Sequence, residues 1–252
     1  MLLYFLICFF ILGMVLGSFF NVVGDRLPNG ESIVSPPSHC PYCKHKLTAI
    51  ELIPILSYLI QGGKCKKCKK KIPMIHPVFE FGCGMVFALA TLSFGISFEL
   101  LIALTFISML LIIIVSDIKY MIIPDEVLIV TGIILFIEIA SIYGLKVLGF
   151  SIINGLISFA IMFLIKILGD FMFKKESMGG GDIKLLFFFG LIFGWQMSIV
   201  AIFIGSIVGL PISLLILYKK STHIVPFGPF LSIGAIIVLL LQIDFQMIIN
   251  AL

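Results

Sequence analysis

Charge is what this 252-residue chain lacks: Asp, Glu, Lys and Arg together make up only 12% of it, against 61% hydrophobic residues and a mean hydropathy of +1.24. Soluble domains carry roughly twice that charged fraction, so a water-solvated globule is excluded and a polytopic membrane protein is expected. The N-terminus also lacks a basic start and a small-residue cleavage pattern. Its apolar segment is therefore read as a retained span rather than a removed signal peptide. No convincing internal repeat is visible.

What is present is a series of long apolar runs. A helix needs about 20 such residues to cross the hydrocarbon core, and the runs at 2–23, 78–98, 100–116, 127–143, 147–168, 183–193, 198–217 and 224–243 predict an all-α bundle of about eight transmembrane helices. The sixth is too short to cross unaided. Basic residues then orient the bundle, because short cytoplasmic loops collect Lys and Arg. Nine of the seventeen lie between Arg26 and Lys71. Lys119, Lys174, Lys175, Lys184, Lys219 and Lys220 fall in loops that eight spans put on the same side, with Lys146 the exception. Both termini are thus expected outside and the chemistry at the cytoplasmic rim. Topology accounts for the net charge of +4, so a nucleic-acid partner is not required.

The organisation expected is a first span at 1–23, a cytoplasmic domain at 24–77 and a transmembrane bundle at 78–252. The middle segment holds most of the prolines, all but one of the histidines and four of the six cysteines. A domain this small commonly needs a metal or disulfides to be stable. Cys40-Pro-Tyr-Cys43 and Cys65-Lys-Lys-Cys68 are two C-x-x-C pairs 21 residues apart, the pattern in which paired turns aim four thiolates at one tetrahedral zinc ion. Disulfides and a redox pair are the alternatives, but disulfides belong on the exported side, against the basic count, and a redox C-x-x-C would not need a duplicate. His39, His45 and His76 are candidates to replace a thiolate, and Cys8 and Cys83 read as small hydrophobes.

Ionisable groups at membrane depth are expensive and mark function. Asp182 sits in Met178-Gly-Gly-Gly-Asp-Ile-Lys184 between two apolar runs, and Asp117 closes the third run in Asp117-Ile-Lys-Tyr-Met-Ile-Ile-Pro-Asp125. The three glycines are expected to supply non-helical backbone, open to positive φ, that lines a wet site and lets groups approach Asp182. The bland alternative is a hinge followed by an acid that favours the positive end of a helix. Two close carboxylates share one proton and titrate as a unit, a pairing suited to acid–base peptide hydrolysis. Lys119 and Lys184 each stand two residues after an aspartate, an echo that argues for one composite site with Asp125, Gly179 and Gly181 in support. Glu80 and Glu126 lie where a helix dipole accounts for them, and Glu138 has no assigned role. The stretch Val225-Pro-Phe-Gly-Pro-Phe-Leu231 is expected to pack near the active rim.

Taken together, the run from Gly17 to Pro28, the two C-x-x-C pairs, Asp117-Ile-Lys with Ile-Pro-Asp125, Gly179-Gly-Gly-Asp182-Ile-Lys184 and Pro226-Phe-Gly-Pro-Phe230 resemble bacterial prepilin peptidases, the type IV leader peptidase family of membrane aspartic proteases. The resemblance covers nearly the whole length. It implies that Asp117 and Asp182 are catalytic, the second in a Gly-x-Gly-Asp motif. It further implies cleavage of basic leaders from prepilins and pseudopilins after a glycine, on the cytoplasmic side of the inner membrane. Many members then methylate the new N-terminal amine with S-adenosylmethionine, and the cysteine-bearing domain accompanies that second activity. No soluble glycine loop of the Rossmann type is present, so no donor-binding residues are named. Pilus assembly, type II secretion and DNA uptake all use such substrates. The competing readings are a peptidase without methylation, a carboxylate-based transporter with a zinc-sensing loop, and a non-enzymatic assembly factor.

Overall fold

The computed structural model describes residues 1–174, 176, 178–219 and 225–243. Lys175, Lys220 and the expected start of the last span at Ile224 lie outside them. Among the described residues there is no strand, only helices and two isolated bridges. Contacts divide the chain into two compact units, Met1–Ile96 and Ser97–Leu252.

In the first unit, helix α1 (Leu2–Arg26) packs along α3 (Ile75–Phe94), with the short α2 (Leu56–Ile60) in the segment between them. Small residues bring α1 and α3 together, as expected where lipid offers no hydrophobic drive for association. A Cβ on Gly13 would stand 2.7 Å from the Cys83 carbonyl oxygen, and one on Gly17 2.8 Å from the Cys83 Cβ. Cys83 is fully buried there as a small hydrophobe, whereas Cys8 faces outward.

The second unit is built from α4 (Phe98–Tyr120), α5 (Asp125–Tyr143), α6 (Leu145–Phe173), α7 (Gly180–Phe193), α8 (Trp195–Lys219) and α9 (Gly228–Leu241). Helix α4 forms the centre: Phe106, Ile107, Met109, Leu110 and Ile113 are fully buried. Its start is capped by Ser97, whose Oγ accepts from the Leu100 N–H at 3.2 Å. Phe106 meets Phe189 and Phe193 of α7 edge to face, at 5.9 and 5.4 Å.

Among the described residues six helices are long and apolar enough to cross a membrane: α1, α3, α4, α5, α6 and α8. The chain is a multi-pass membrane protein. With 14 residues each, α7 and α9 extend about 21 Å, short of the roughly 30 Å hydrocarbon core. The short sixth segment is therefore as expected, and the eighth is short as well.

Candidate functional site

Asp117 lies in the last turn of α4 and is only 6% exposed. The helix stops just beyond it because Met121 turns left-handed (φ 57°), its N–H bonding to the Asp117 carbonyl at 2.9 Å, and Pro124 then forbids continuation. The side chain meets the first turn of α9. The Gly228 N–H donates to Asp117 Oδ2 at 3.0 Å, at the helix end where free N–H groups favour negative charge. Any larger residue would crowd the carboxylate, since a Cβ there would stand 2.7 Å from that oxygen. The expected packing of 225–231 near the rim is thus observed, but with a donor role that the sequence did not disclose.

Asp182 occupies the first turn of α7, is 8% exposed, and lies close enough to Asp117 for the two carboxylates to act on each other electrostatically. It reaches back toward the backbone N–H of Gly179, the residue that caps the helix. The glycines behave differently from the expectation. Gly180 and Gly181 are helical and Gly179 is extended (φ −70°, ψ 150°), so none uses a positive φ. What the motif requires is space: a Cβ on Gly181 would stand 2.8 Å from the Ile123 Cβ, while Gly180 has nothing within 4 Å. Ile123 also lies 3.5 Å from where a Gly228 Cβ would stand. This one side chain therefore lies between the turn that carries Asp182 and the α9 turn that donates to Asp117, a role with no signal in the sequence.

The echo of Lys119 and Lys184 does not hold spatially. Lys184 Nζ binds both oxygens of Asp125, at 2.7 and 2.8 Å, in an exposed pair that ties α7 to the start of α5. Lys119 instead sits 5.2 Å from the Tyr120 ring centroid. Asp125 and Lys184 also line a cavity of about 570 Å³, otherwise lined by apolar residues of α5, α6 and α7 such as Leu128, Phe136, Phe159 and Phe187. Glu126 is exposed in the first turn of α5, as a dipole-stabilised acid should be. Glu138 accepts from Thr105 Oγ1 at 2.8 Å, and Glu80 accepts from the Ile55 N–H at 2.9 Å rather than serving the dipole alone.

In the first unit the four cysteines come together with all their sulfurs within 4.8 Å of one another. Cys40 and Cys68 are 3.8 Å apart and Cys43 and Cys65 3.9 Å, matching the roughly 3.8 Å edge of a tetrahedron with zinc–sulfur bonds of about 2.3 Å. None of the six cysteines is in a disulfide. The two turns repeat each other, a local repeat too short to see in the sequence. Lys44 and Lys69 both take positive φ (57° and 59°), and their N–H groups bond to the carbonyls of Cys40 and Cys65 at 2.9 and 3.0 Å. The backbone N–H groups of Cys43 and Tyr42 draw the Cys40 thiol down to about 6, and those of Cys68 and Lys67 lower Cys65. The Lys70 N–H also favours the Cys68 thiolate, but burial and the neighbouring thiols outweigh it and push this group up to about 11. Four thiolates this close would repel one another, and a cation between them would favour the ionised forms, so the cluster could hold a metal ion. The histidines are outside the cluster: His45 pairs with Glu51 at 3.3 Å and His39 accompanies the Pro37 carbonyl at 3.1 Å.

Comparison with known proteins adds independent findings. Residues 11–94 match the profile of the bacterial peptidase A24 N-terminal domain, and residues 104–214 that of the type IV leader peptidase family. The chain is 38% identical over 232 residues to the prepilin leader peptidase/N-methyltransferase of Bacillus subtilis (strain 168), covering 90% of this chain and 91% of that protein. The proteins of the same description from Pseudomonas aeruginosa and Stutzerimonas stutzeri are 30% and 29% identical, each over 94% of this chain and 90% of the relative. No solved structure matches.

Proposed function

Because the chain belongs to the type IV leader peptidase family, we propose that it is a membrane aspartic endopeptidase that removes the leader from prepilins and pseudopilins and then N-methylates the new N-terminal residue. One observation carries the reading: Asp117 and Asp182, from different helices, are both buried and share an electrostatic environment at one rim of the second unit. One carboxylate takes a proton from water, which attacks the scissile carbonyl. The other, carrying the shared proton, gives it to the departing amine as the C–N bond breaks, with no covalent intermediate. The Gly228 N–H holds Asp117 Oδ2 while the proton moves. Asp125 and Lys184 support by fixing the start of α7, Gly179 and Gly181 by shaping the turn that carries Asp182, and Lys119 by adding positive charge at the rim.

The methyl group comes from S-adenosylmethionine, which supplies an electrophilic carbon to the amine freed by cleavage. Cys40, Cys43, Cys65 and Cys68 hold a structural zinc ion, since four thiolates leave no open position. Residues 1–23 are the first span, 24–77 the zinc-binding domain and 78–252 the stretch carrying the peptidase bundle. The site faces the cytoplasm from the inner membrane, where the basic residues cluster, and its products feed pilus, secretion or DNA-uptake machinery. Neither the transporter reading nor a peptidase without methylation is supported by the three relatives named above, which share the double description. The test is a mass spectrum of a prepilin incubated with the protein and S-adenosylmethionine. Loss of the leader with a one-methyl gain is expected. An intact prepilin overturns the peptidase reading, and cleavage without the gain overturns methylation.

A further inference from the structure

The segment between α1 and α3 exposes more apolar surface than a water-facing loop tolerates. Within eleven positions Ile50, Leu52, Ile53, Leu56, Leu59 and Ile60 are all exposed, Ile60 to 78%. The turn Ala49–Leu52 packs on α2, so these side chains belong to one small module. Exposed apolar groups gathered in this way mark a surface that meets something.

Two further features say what it meets. Ile55 adopts φ 61°, ψ −52°, a conformation costly for a β-branched residue, and its N–H is held by Glu80 Oε2 at 2.9 Å. Glu80 is the sixth residue of α3, a span-length helix, which puts it about 7.5 Å along that helix. The module is thereby tied beside the turns where α3 enters the bilayer. Amphipathic segments rest about 5–10 Å into the headgroup–acyl boundary. Directly after the module come Lys64, Lys66, Lys67, Lys69, Lys70 and Lys71, all exposed, with Lys71 four residues before the first residue of α3. Between residues 49 and 75 the only acid is Glu51, already engaged by Thr48 and His45. A run of four to eight basic residues flanking a membrane helix is drawn to anionic headgroups.

We propose that residues 50–60, with the lysines of 64–71 beside them, form an interfacial anchor that docks on an anionic phospholipid surface around α3. The aliphatic side chains enter the headgroup–acyl boundary and the ammonium groups meet lipid phosphates. The zinc-binding turns are thereby held against the bilayer rather than swinging from it.

The test uses the full chain in nanodiscs. With Trp195→Phe to remove the only native tryptophan, Leu59→Trp and Ile60→Trp are each examined in phosphatidylglycerol-containing discs. Blue-shifted emission, quenched by brominated lipid more than by aqueous acrylamide, is expected. Replacing Lys66, Lys67, Lys70 and Lys71 by Gln should lower the docking equilibrium constant by about fivefold per charge removed. Quenching by acrylamide alone shows a solvated segment and overturns the proposal. Quenching by neither shows cover by protein and overturns it as well. Photo-labelling of the unsubstituted chain with a diazirine phosphatidylglycerol tests the same point without substitution: adducts on 50–60 are expected, and their absence contradicts the anchor.

Discussion

Gly228→Ala perturbs the site at a single atom. The added methyl would stand 2.7 Å from Asp117 Oδ2 and 3.2 Å from its Cγ, whereas ordinary contact begins at 3.4 Å. The carboxylate must therefore retreat by about 0.7 Å, the difference between 3.4 and 2.7 Å, and in retreating it stretches the 3.0 Å bond from the Gly228 N–H. Hydrogen bonds to charged groups contribute about 1.5–3 kcal/mol, and a displacement near 1 Å in a catalytic group lowers rates by about 10²-fold. Both effects act on the same carboxylate, so they overlap rather than add. A kcat about 30- to 100-fold lower is expected, with KM little changed because substrate binding is left alone. The assay is the initial rate of leader removal from a purified prepilin in proteoliposomes. Gly149→Ala, which has open space around the new methyl, is the control for substitution as such. A Gly228→Ala protein that folds and cleaves at the wild-type kcat refutes the assignment of Gly228 as the partner of Asp117.

Gly181→Ala drives a methyl into Ile123 while Gly180→Ala meets nothing, so the first should lose most of its cleavage rate and the second should keep it, despite adjoining positions in one motif. Metal analysis of purified protein should return about one zinc per chain. Replacing Cys40 and Cys65 by Ser should abolish it and leave 24–77 open to proteolysis, because structural zinc contributes about 10–16 kcal/mol, more than a small domain has to spare. The backbone N–H of Thr48, then its hydroxyl, then His45 hold the Glu51 carboxyl below its ordinary value. A depressed carboxyl stabilises the fold above the unfolded value of about 4.3 and loses that contribution as pH falls through the lower folded value. Hydrogen exchange in 24–77 should accordingly separate wild type from Glu51→Gln near neutral pH and merge the two under acid. A constant gap across the range contradicts the assignment.

The helices were legible because lipid writes a plain code: runs of apolar residues long enough to cross, broken by glycine, proline or charge. The cysteine cluster was legible because tetrahedral coordination fixes the spacing of paired thiolates. The aspartates stood out for the expense of a carboxylate at membrane depth. What escaped is long-range and atomic. The Gly228 N–H meets Asp117 across 111 positions, and no periodicity tells which helix end a carboxylate will face. Lys184 follows Asp182 by two residues yet turns to Asp125, because successive residues on a helix point about 100° apart. The glycines of 179–181 read as conformational freedom, and the reason for Gly181 proved to be the neighbouring Ile123. Glu80 looked like a dipole partner until Ile55 was seen to need an acceptor.

The central claim is that Asp117 and Asp182 act as one catalytic pair. Its most direct test is the mass of a prepilin incubated with wild type, Asp117→Asn and Asp182→Asn, each verified as folded by retained zinc and helical content. The pair predicts a shortened substrate with wild type and an intact one with either variant, since an amide neither takes up the proton nor returns it. A leader removed at the wild-type rate by either folded variant would contradict the account.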